Sequence, residues 1–247
     1  MTESWINTLP HPLPTQHELP YEDGVPMESD LHLEQLNLLV ETLRFHWRDQ
    51  EKGYVAGNMF IYFSERQLKN EYFRGPDVFV VKEATKGSRK SYVLWDEDFK
   101  KPNVVIELLS ESTASFDKGK KKLVYQNELQ VPEYFLYDPF TFELTGFCLS
   151  KGIYQPIIPT QNRLYSQELG LYLLNWVGEY KEIQSTWLRW ASEDGYILPT
   201  KGEYEKRRGD IMELKLQQEK ERANQEKERA DQLVKRLLEM GISPDDL

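Results

Sequence analysis

Six residues near the middle of the chain, Val104-Val105-Ile106-Glu107-Leu108-Leu109, are apolar except for one glutamate. A short apolar run without polar alternation indicates a strand that is buried on both faces. A chain that contains such a strand must cover a sheet from two sides, which favours an α/β fold. The carboxylate of Glu107 is costly to bury in this strand unless it is paired or bound to a cation.

The segments around this strand predict a mixed sheet. Apolar residues recur at helical spacing from Leu31 to Arg48 and predict an amphipathic helix. The other predicted elements are strands over 54–63, 78–81, 91–95 and 132–139, a helix over 115–129, and a hairpin formed by 142–149 and 152–158. The order strand, strand, helix, strand indicates a mixed α/β sheet with helices packed on it.

The C-terminal segment has a different pattern. Residues 203–240 contain no proline, and Glu219–Gln225 is repeated almost unchanged in 226–232. Apolar or small residues share one heptad position (Leu216, Ala223, Ala230 and Leu237), and Leu233 and Met240 share its partner position. This pattern predicts a long helix of coiled-coil character that pairs with a second copy. A single solvated helix held by i,i+4 ion pairs is the alternative.

These patterns divide the chain into four parts. We predict an irregular lead-in over 1–28, the main domain over 29–202, a helix over 203–240 and a tail over 241–247. No signal peptide or membrane-spanning segment is expected, because the N-terminus is polar and no apolar run approaches ~20 residues. The single cysteine, Cys148, fits a cytoplasmic location.

The formal net charge of −10 counts against nucleic-acid binding. Residues 203–240 hold ten acidic and ten basic side chains, so the whole excess lies in the rest of the chain. Contacts from Lys and Arg to phosphates provide much of the affinity for nucleic acids. A nucleic-acid ligand would therefore need local basic patches or bound cations.

Two acidic residues predict a metal site. Asp77 lies at the start of a predicted strand, and Glu107 interrupts the apolar one. Two carboxylates on neighbouring strands repel each other and suit Mg²⁺ or Mn²⁺, which prefer oxygen ligands. Such a site can hydrolyse phosphodiesters with the help of a nearby lysine. In the alternative interpretation, Asp77 caps a turn and Glu107 forms an ion pair with a helix lysine.

Several segments resemble the Uma2 family, which was once classed as a domain of unknown function and is of cyanobacterial type. The similar segments are Gly75–Val81, Pro102–Thr113, Asp117–Lys121 with Tyr125, and Val131–Pro139, together with an entry segment over 21–27 followed by His32. The resemblance covers roughly residues 20–200. It implies membership of the PD-(D/E)xK superfamily and a restriction-endonuclease-like mixed β-sheet flanked by helices.

The resemblance also implies roles for individual residues. Asp77 matches the motif aspartate and Glu107 the motif glutamate, so both are expected to bind metal and to be catalytic. The superfamily lysine is expected two residues after the glutamate, where this chain has Leu109. The lysine of Uma2-like proteins comes from the following helix, where Lys121 matches. Asp117, Lys121 and Tyr125 then share one helical face, and the rival lysines are Lys118, Lys120 and Lys122.

Three further sets of residues are weaker candidates. His32 is interpreted as a surface histidine, with a role in the site as the alternative. Glu34 either joins the metal site or only stabilises the helix, because an acidic side chain in the first turn interacts favourably with the helix dipole. A basic and aromatic segment could contact a nucleic-acid strand or form a solvated loop (Arg66, Lys69, Tyr72, Phe73 and Arg74).

Together these observations give two functional hypotheses. In the first, the chain is a Mg²⁺- or Mn²⁺-dependent endonuclease acting on DNA, with Asp77, Glu107 and Lys121 in its site. In the second, it is a catalytically inactive protein with a nuclease fold that binds partners through its C-terminal helix. Leu109 and the negative charge favour the second, and the heptads predict a homodimer in either case.

Overall fold

The apolar run around Glu107 forms the third strand of a six-stranded sheet. The structure is a computed structural model that describes residues 13–21, 27–64 and 73–240. In chain order its elements are α1 (Asp30–His46), β1 (Lys52–Gly57), β2 (Ile61–Tyr62), β3 (Phe73–Arg74), β4 (Val78–Thr85), β5 (Tyr92–Val93), β6 (Val104–Leu108), α2 (114–129), β7 (Glu133–Tyr137), β8 (Leu144–Ser150), β9 (Ile153–Pro156), β10 (Arg163–Ser166), β11 (Leu171–Tyr180), β12 (Ile183–Ala191) and α3 (Lys201–Glu239).

The main sheet is mixed, as predicted. Its strand order is β1-β4-β6-β7-β8-β9. Strands β6 and β7 run parallel, whereas the other neighbouring strands of this sheet are antiparallel. All five residues of β6 are buried, which confirms that this strand is covered on both faces. Helix α2 connects the two parallel strands, as a crossover connection requires.

Alternate residues of the central strands pack into two different hydrophobic clusters. On one face, Val104, Ile106 and Leu108 pack with α1. On the other face, Val105 and Leu109 pack with Tyr125 and other residues of α2. Because side chains alternate along a strand, Glu107 belongs to the face that α2 covers.

A second, three-stranded antiparallel sheet, β10-β11-β12, was not predicted from the sequence. Its Trp190 packs in the same cluster as α1 and donates a hydrogen bond from Nε1 to the carbonyl oxygen of Leu39. The buried amide of Gln35 on α1 both donates to and accepts from the main chain of Leu188. These contacts fix the sheet against α1 and complete the cover on that face.

Two predicted strands are shorter than expected. The strand predicted over 54–63 breaks after Gly57, because Asn58 adopts a left-handed conformation (φ 47°), and β2 then joins β3 and β5 in a small separate sheet. The segment predicted over 91–95 contains only the two residues of β5 before a 3₁₀ turn begins. Local β propensity did not reveal these breaks, since it carries little information on where pairing ends.

The C-terminal helix is long and exposed. The chain divides into two units at Thr200 and Lys201, and α3 extends for 39 residues in the second unit. None of the described α3 side chains is buried. In the part of the chain that the structure describes, no helix is both long and apolar enough to cross a membrane.

Candidate active site

The pairing of β4 with β6 brings Asp77 and Glu107 together. Val78 pairs with Ile106 in this antiparallel ladder, so the residues that flank this pair lie side by side. The backbone N–H of Asp77 donates to Oε2 of Glu107 over 3.3 Å. In return, Oδ2 of Asp77 accepts a hydrogen bond of 2.7 Å from the backbone N–H of Leu108. The two carboxylates are therefore held on neighbouring strands by reciprocal contacts.

Helix α2 adds a cation and two further polar groups to these carboxylates. Nζ of Lys121 lies 2.7 Å from Oε2 of Glu107 and 3.3 Å from Oδ1 of Asp117. The hydroxyl of Tyr125 donates to Oε1 of Glu107 over 2.9 Å. Both oxygens of the fully buried Glu107 thus have a donor from the helix. The predicted common face of Asp117, Lys121 and Tyr125 is what the structure shows.

The turns of α2 that carry these residues are wider than those of an α-helix. Asp117–Lys121 and Tyr125–Leu129 are π-helical segments with short α-helical segments around them. Such π segments are rare and frequently occur at functional sites. The hydroxyl of Tyr134 donates to the carbonyl oxygen of Asp117 over 3.0 Å and so anchors the first wide segment to the sheet.

The electrostatics of the cluster are dominated by burial and by excess negative charge. Burial raises the pKa of Glu107 to about 8, and the nearby Lys121 only partly opposes this shift. Burial likewise raises the pKa of Asp77. Burial lowers the pKa of Lys121, but the carboxylates of Glu107, Asp117 and Asp77 outweigh it and leave the pKa raised. When all are ionised, three carboxylates face one ammonium group, which leaves the cluster short of positive charge.

A small pocket gives access to this cluster. It has a volume of about 170 Å³, and its lining includes Asp77, Asp117, Lys121 and His32. We call it the carboxylate pocket. A neighbouring pocket of about 500 Å³ shares His32 and extends towards Phe140. The buried carboxylates therefore lie next to space that a ligand can enter.

His32 is not a surface histidine, so the sequence-based interpretation was wrong. Only 2% of the residue is exposed. Its Nδ1 lies 2.9 Å from Oγ of Ser29, and its Nε2 lies 3.1 Å from the carbonyl oxygen of Leu109. One polar neighbour, Ser29, and the distant carbonyl of Leu109 are the partners that allow this imidazole to be buried.

The other candidate residues lie apart from the cluster or outside the described residues. Lys118 and Lys120 are exposed, and Nζ of Lys122 lies 3.2 Å from the ring centre of Phe147. Lys121 is therefore the helix lysine that reaches the carboxylates. Glu34 forms an ion pair of 3.1 Å with Lys181. Of the basic and aromatic segment, residues 66, 69 and 72 lie outside the described residues.

One part of the site was missed in the sequence. Oε1 of Glu28 accepts hydrogen bonds from the hydroxyls of Ser110 and Ser112, at 2.5 Å and 2.6 Å. These contacts join the loop after β6 to the start of α1. The cluster of hydroxyl residues directly after a buried strand was a local signal for such a loop, but its partner 82 residues earlier in the chain was not predictable.

The donor set suits a hard divalent cation with an incomplete protein shell. Among the described residues, no three His, Cys, Asp or Glu side chains are grouped so as to hold a metal. Mg²⁺ commonly takes only one or two carboxylates and completes its shell with water and substrate phosphate. Asp77 and Glu107 match that pattern, and 170 Å³ leaves room for about five waters at ~30 Å³ each.

The fold and the site define an α/β protein whose mixed sheet holds two adjacent carboxylates beside a helix lysine, with Asp77 and Lys121 lining a pocket. Residues 9–177 match the model of the Uma2 family, described as "Putative restriction endonuclease", and the chain belongs to this family. This membership supports a nuclease-like function.

A solved structure gives a second comparison. It is described as a "putative nuclease belonging to DUF820" from Anabaena variabilis, and it is 15% identical to this chain with a TM-score of 0.40. The match covers 59% of this chain and 88% of that one. Among curated proteins, none matches this chain.

Proposed function

We propose that the protein is an endonuclease that hydrolyses DNA phosphodiester bonds with the help of Mg²⁺ or Mn²⁺. The observation that carries this proposal is the convergence of Asp77, Glu107 and Lys121 beside an open pocket. Nζ of Lys121 lies only 2.7 Å from Glu107, and the cluster has an excess of negative charge when all three of its carboxylates are ionised. Membership of the Uma2 family supports the same reaction class.

The carboxylates and the lysine have separate roles in this proposal. Asp77 and Glu107 would hold the cation, which when bound polarises the phosphoryl oxygens and activates a water. Lys121 stays protonated near neutral pH, because the surrounding carboxylates raise its pKa. We therefore assign Lys121 the role of a hydrogen-bond donor that orients the water and offsets the charge that develops on the phosphate. Tyr125 keeps Glu107 oriented towards the cation site.

A cleavage assay with matched lysine variants tests the proposal. Purified wild-type protein is incubated with single- and double-stranded DNA in Mg²⁺, in Mn²⁺ and in EDTA. We expect cleavage that EDTA abolishes, and a decrease of at least about 100-fold in Asp77→Asn, Glu107→Gln and Lys121→Gln, by analogy with the loss of other charge-stabilising groups.

Lys118→Gln is the control, since it removes an exposed lysine of the same helix. This variant should cleave DNA as the wild-type protein does. If the wild-type protein shows no metal-dependent cleavage, or if cleavage survives in Asp77→Asn and Glu107→Gln, this assignment is wrong.

A second candidate function is protein binding through α3. This helix exposes several leucines, including Leu216 and Leu233, which are 52% and 60% exposed. Such residues are commonly covered in a coiled coil. We propose that α3 pairs with α3 of a second copy to form a homodimer. If the cleavage assay is negative, this interaction becomes the main proposed function.

We also propose that the protein acts in the cytoplasm. Cys148 is the only cysteine of the chain, so an intramolecular disulfide cannot form. A DNA substrate in a reducing compartment fits this composition. Cell fractionation with an antibody against the protein tests the location, and recovery from a secreted fraction would contradict it.

A further inference from the structure

A second pocket, at the outer edge of the main sheet, is rich in positive charge. Its volume is about 590 Å³, and four basic residues line it: Arg44, Arg48, Lys86 and Arg89. No acidic side chain is among its described lining residues. We call it the basic pocket. A site of this kind is unexpected in a chain of net charge −10 and requires a physical explanation.

Two of these cations have main-chain partners only. Nε of Arg44 donates to the carbonyl oxygen of Val55 over 2.8 Å. Nζ of Lys86 donates to the carbonyl oxygens of Trp47, at 2.5 Å, and Arg48, at 3.2 Å. Neither Arg44 nor Lys86 forms an ion pair with a carboxylate of the described chain. Among the residues that the structure describes, both charges are thus held in position without a carboxylate to neutralise them.

The other two arginines share their charge with acids. Arg89 forms two hydrogen bonds with Glu97, and its guanidinium lies 4.2 Å from the ring centre of Tyr54. Nη1 of Arg89 is buried, and no described group lies in a position to accept a hydrogen bond from it. Arg48 forms an ion pair of 3.4 Å with the exposed Asp49. Of the four cations, Arg44 and Lys86 are therefore the ones for which the described residues provide no acidic partner.

The basic pocket and the carboxylate pocket both border β1 and the turn that follows it. Residues 53–55 and Met59 line the basic pocket, whereas Asn58 and Asp77 line the carboxylate pocket. The two pockets therefore lie within about 13 Å of each other, which is the span of four strand residues at ~3.3 Å each. That distance corresponds to no more than about four base-pair steps of a duplex at ~3.4 Å per step. One DNA molecule can therefore reach both pockets.

We propose that the basic pocket binds a backbone phosphate of the same DNA that enters the carboxylate pocket, a few nucleotides away from the bond to be cut. This inference rests on the proposed nuclease function and adds a substrate-positioning site to it. The uncompensated charges of Arg44 and Lys86 attract the phosphate, and a site of this kind offsets the repulsion between an acidic protein and DNA. Contacts to phosphates position a nucleic acid without reading its sequence.

The test measures how salt affects DNA binding. A labelled duplex is titrated with wild-type protein and with the double variant Arg44→Gln/Lys86→Gln, by fluorescence anisotropy at several salt concentrations. Ca²⁺ replaces Mg²⁺ to limit cleavage. We expect weaker binding in the variant, and a slope of log Kd against log salt concentration that is smaller by about 1, since the loss of one phosphate contact removes about 1.

The control variant is Lys151→Gln/Lys227→Gln, which removes the same net charge from the β8–β9 turn and from α3. It should keep the wild-type slope. In the presence of Mg²⁺, Arg44→Gln/Lys86→Gln should raise KM and leave kcat within about twofold of the wild-type value, because the pocket positions the substrate and does not touch the reacting atoms.

The possible outcomes separate the two proposals. Suppose that the wild-type protein cleaves DNA and that Arg44→Gln/Lys86→Gln lowers the salt slope no more than Lys151→Gln/Lys227→Gln does. The inference about the basic pocket is then wrong, and the nuclease assignment stands. If the wild-type protein binds DNA without cleaving it, the nuclease assignment fails, and a reduced slope still supports the pocket. An absence of DNA binding by the wild-type protein overturns both.

A further arm distinguishes a small phosphate ligand from a DNA strand. Inorganic phosphate and a mononucleotide are titrated by calorimetry. If either binds more tightly than the duplex, and Arg44→Gln/Lys86→Gln abolishes that binding, the pocket is a small-molecule site and the proposal of a DNA phosphate is overturned. If both small ligands bind more weakly than the duplex, the result agrees with the proposal, because the basic pocket then provides only part of the contact surface for DNA.

Discussion

Among single residues, Glu107 is an acid whose burial is costly, and both of its carboxylate oxygens accept hydrogen bonds. The residue is fully buried, and its two oxygens accept hydrogen bonds from Tyr125 and Lys121. An unpaired carboxylate in this position would cost several kcal/mol. The sequence offered an ion pair with a helix lysine as the alternative to a metal ligand, and the ion pair is present. When all three carboxylates around this one lysine are ionised, the ion pair leaves negative charge on the cluster.

The hydroxyl of Tyr125 should contribute more to stability than that of an ordinary buried tyrosine. Removing it in Tyr125→Phe leaves Oε1 of Glu107 without its 2.9 Å donor. Because Glu107 is ionised above its pKa of about 8, we expect the free energy of unfolding at about pH 9 to fall by about 1.5–3 kcal/mol. Urea unfolding followed by tryptophan fluorescence measures this change.

Tyr154→Phe is the matched control for this prediction. The hydroxyl of Tyr154 is also buried and also donates over 2.9 Å, but to the neutral carbonyl oxygen of Val131. We expect its loss to cost only about 0.5–1.5 kcal/mol. Equal costs in the two variants would mean that Tyr125 does not stabilise a charged partner.

Among the elements, α1 and the second sheet cover one face of the main sheet, and α2 covers the other face. Strand β7 is attached to the second sheet by Glu133, which is buried at the start of that strand. Its carboxylate accepts hydrogen bonds from the hydroxyl of Ser166 and from the backbone N–H groups of Gln167 and Glu168. One acidic side chain therefore connects the two sheets through the β10–β11 loop.

This connection should depend on pH. Burial raises the pKa of Glu133, although its hydrogen bonds oppose the shift. A carboxyl group with a raised pKa holds its proton more tightly in the folded than in the unfolded chain. Its contribution to stability is therefore greatest below the unfolded value of ~4.3 and decreases as the pH rises through the folded pKa.

Comparison with Glu133→Gln isolates this contribution, since the amide does not titrate. The quantity to follow is the difference in free energy of unfolding, wild type minus Glu133→Gln. We expect this difference to decrease as the pH rises from about 4 towards neutrality. Urea midpoints at half-unit pH steps measure it. A difference that grows with pH would show that hydrogen bonding outweighs burial at Glu133.

For the whole molecule, charge and apolar surface are divided between the two units. The helix segment 203–240 is neutral, so the first unit carries the acidic excess. In the proposed DNA complex, long-range repulsion between DNA and the first unit would be offset locally, at the carboxylate pocket by a cation and at the basic pocket by Arg44 and Lys86. The helix segment 203–240 of the second unit exposes leucines and has no net charge to oppose pairing with another copy.

Substitutions on α3 test the proposed homodimer. In Leu233→Glu/Leu237→Glu, charges replace apolar residues at the two heptad positions, and we expect the full-length protein to change from a dimer to a monomer. Light scattering coupled to size-exclusion chromatography measures the mass.

Leu214→Glu/Leu238→Glu adds the same charge to the same helix outside those two heptad positions. The two substituted leucines are 57% and 59% exposed, close to the 60% of Leu233, whereas Leu237 is half-buried. This variant should remain dimeric. A monomeric wild-type protein would favour the solvated single helix.

Much of the fold was predictable because its signals are local. The unbroken apolar run 104–109 indicated a strand buried on both faces, and β6 confirms it. The change from strand to helical spacing located α2, and the heptads located α3. For the site, the sequence pointed to Asp77 and Glu107 as an adjacent pair, and the β4–β6 ladder places them together.

Only the tertiary structure decided which polar groups meet. His32 was taken for a surface residue because the carbonyl that accepts its hydrogen bond belongs to Leu109, 77 residues away. Four lysines of α2 were candidates, and the rotation of the helix against the sheet selected Lys121. The basic pocket likewise joins α1 to residues of the loop after β4. Hydrophobic periodicity specifies which face of an element is buried, whereas contacts between distant polar groups depend on the register and rotation of elements that packing alone fixes.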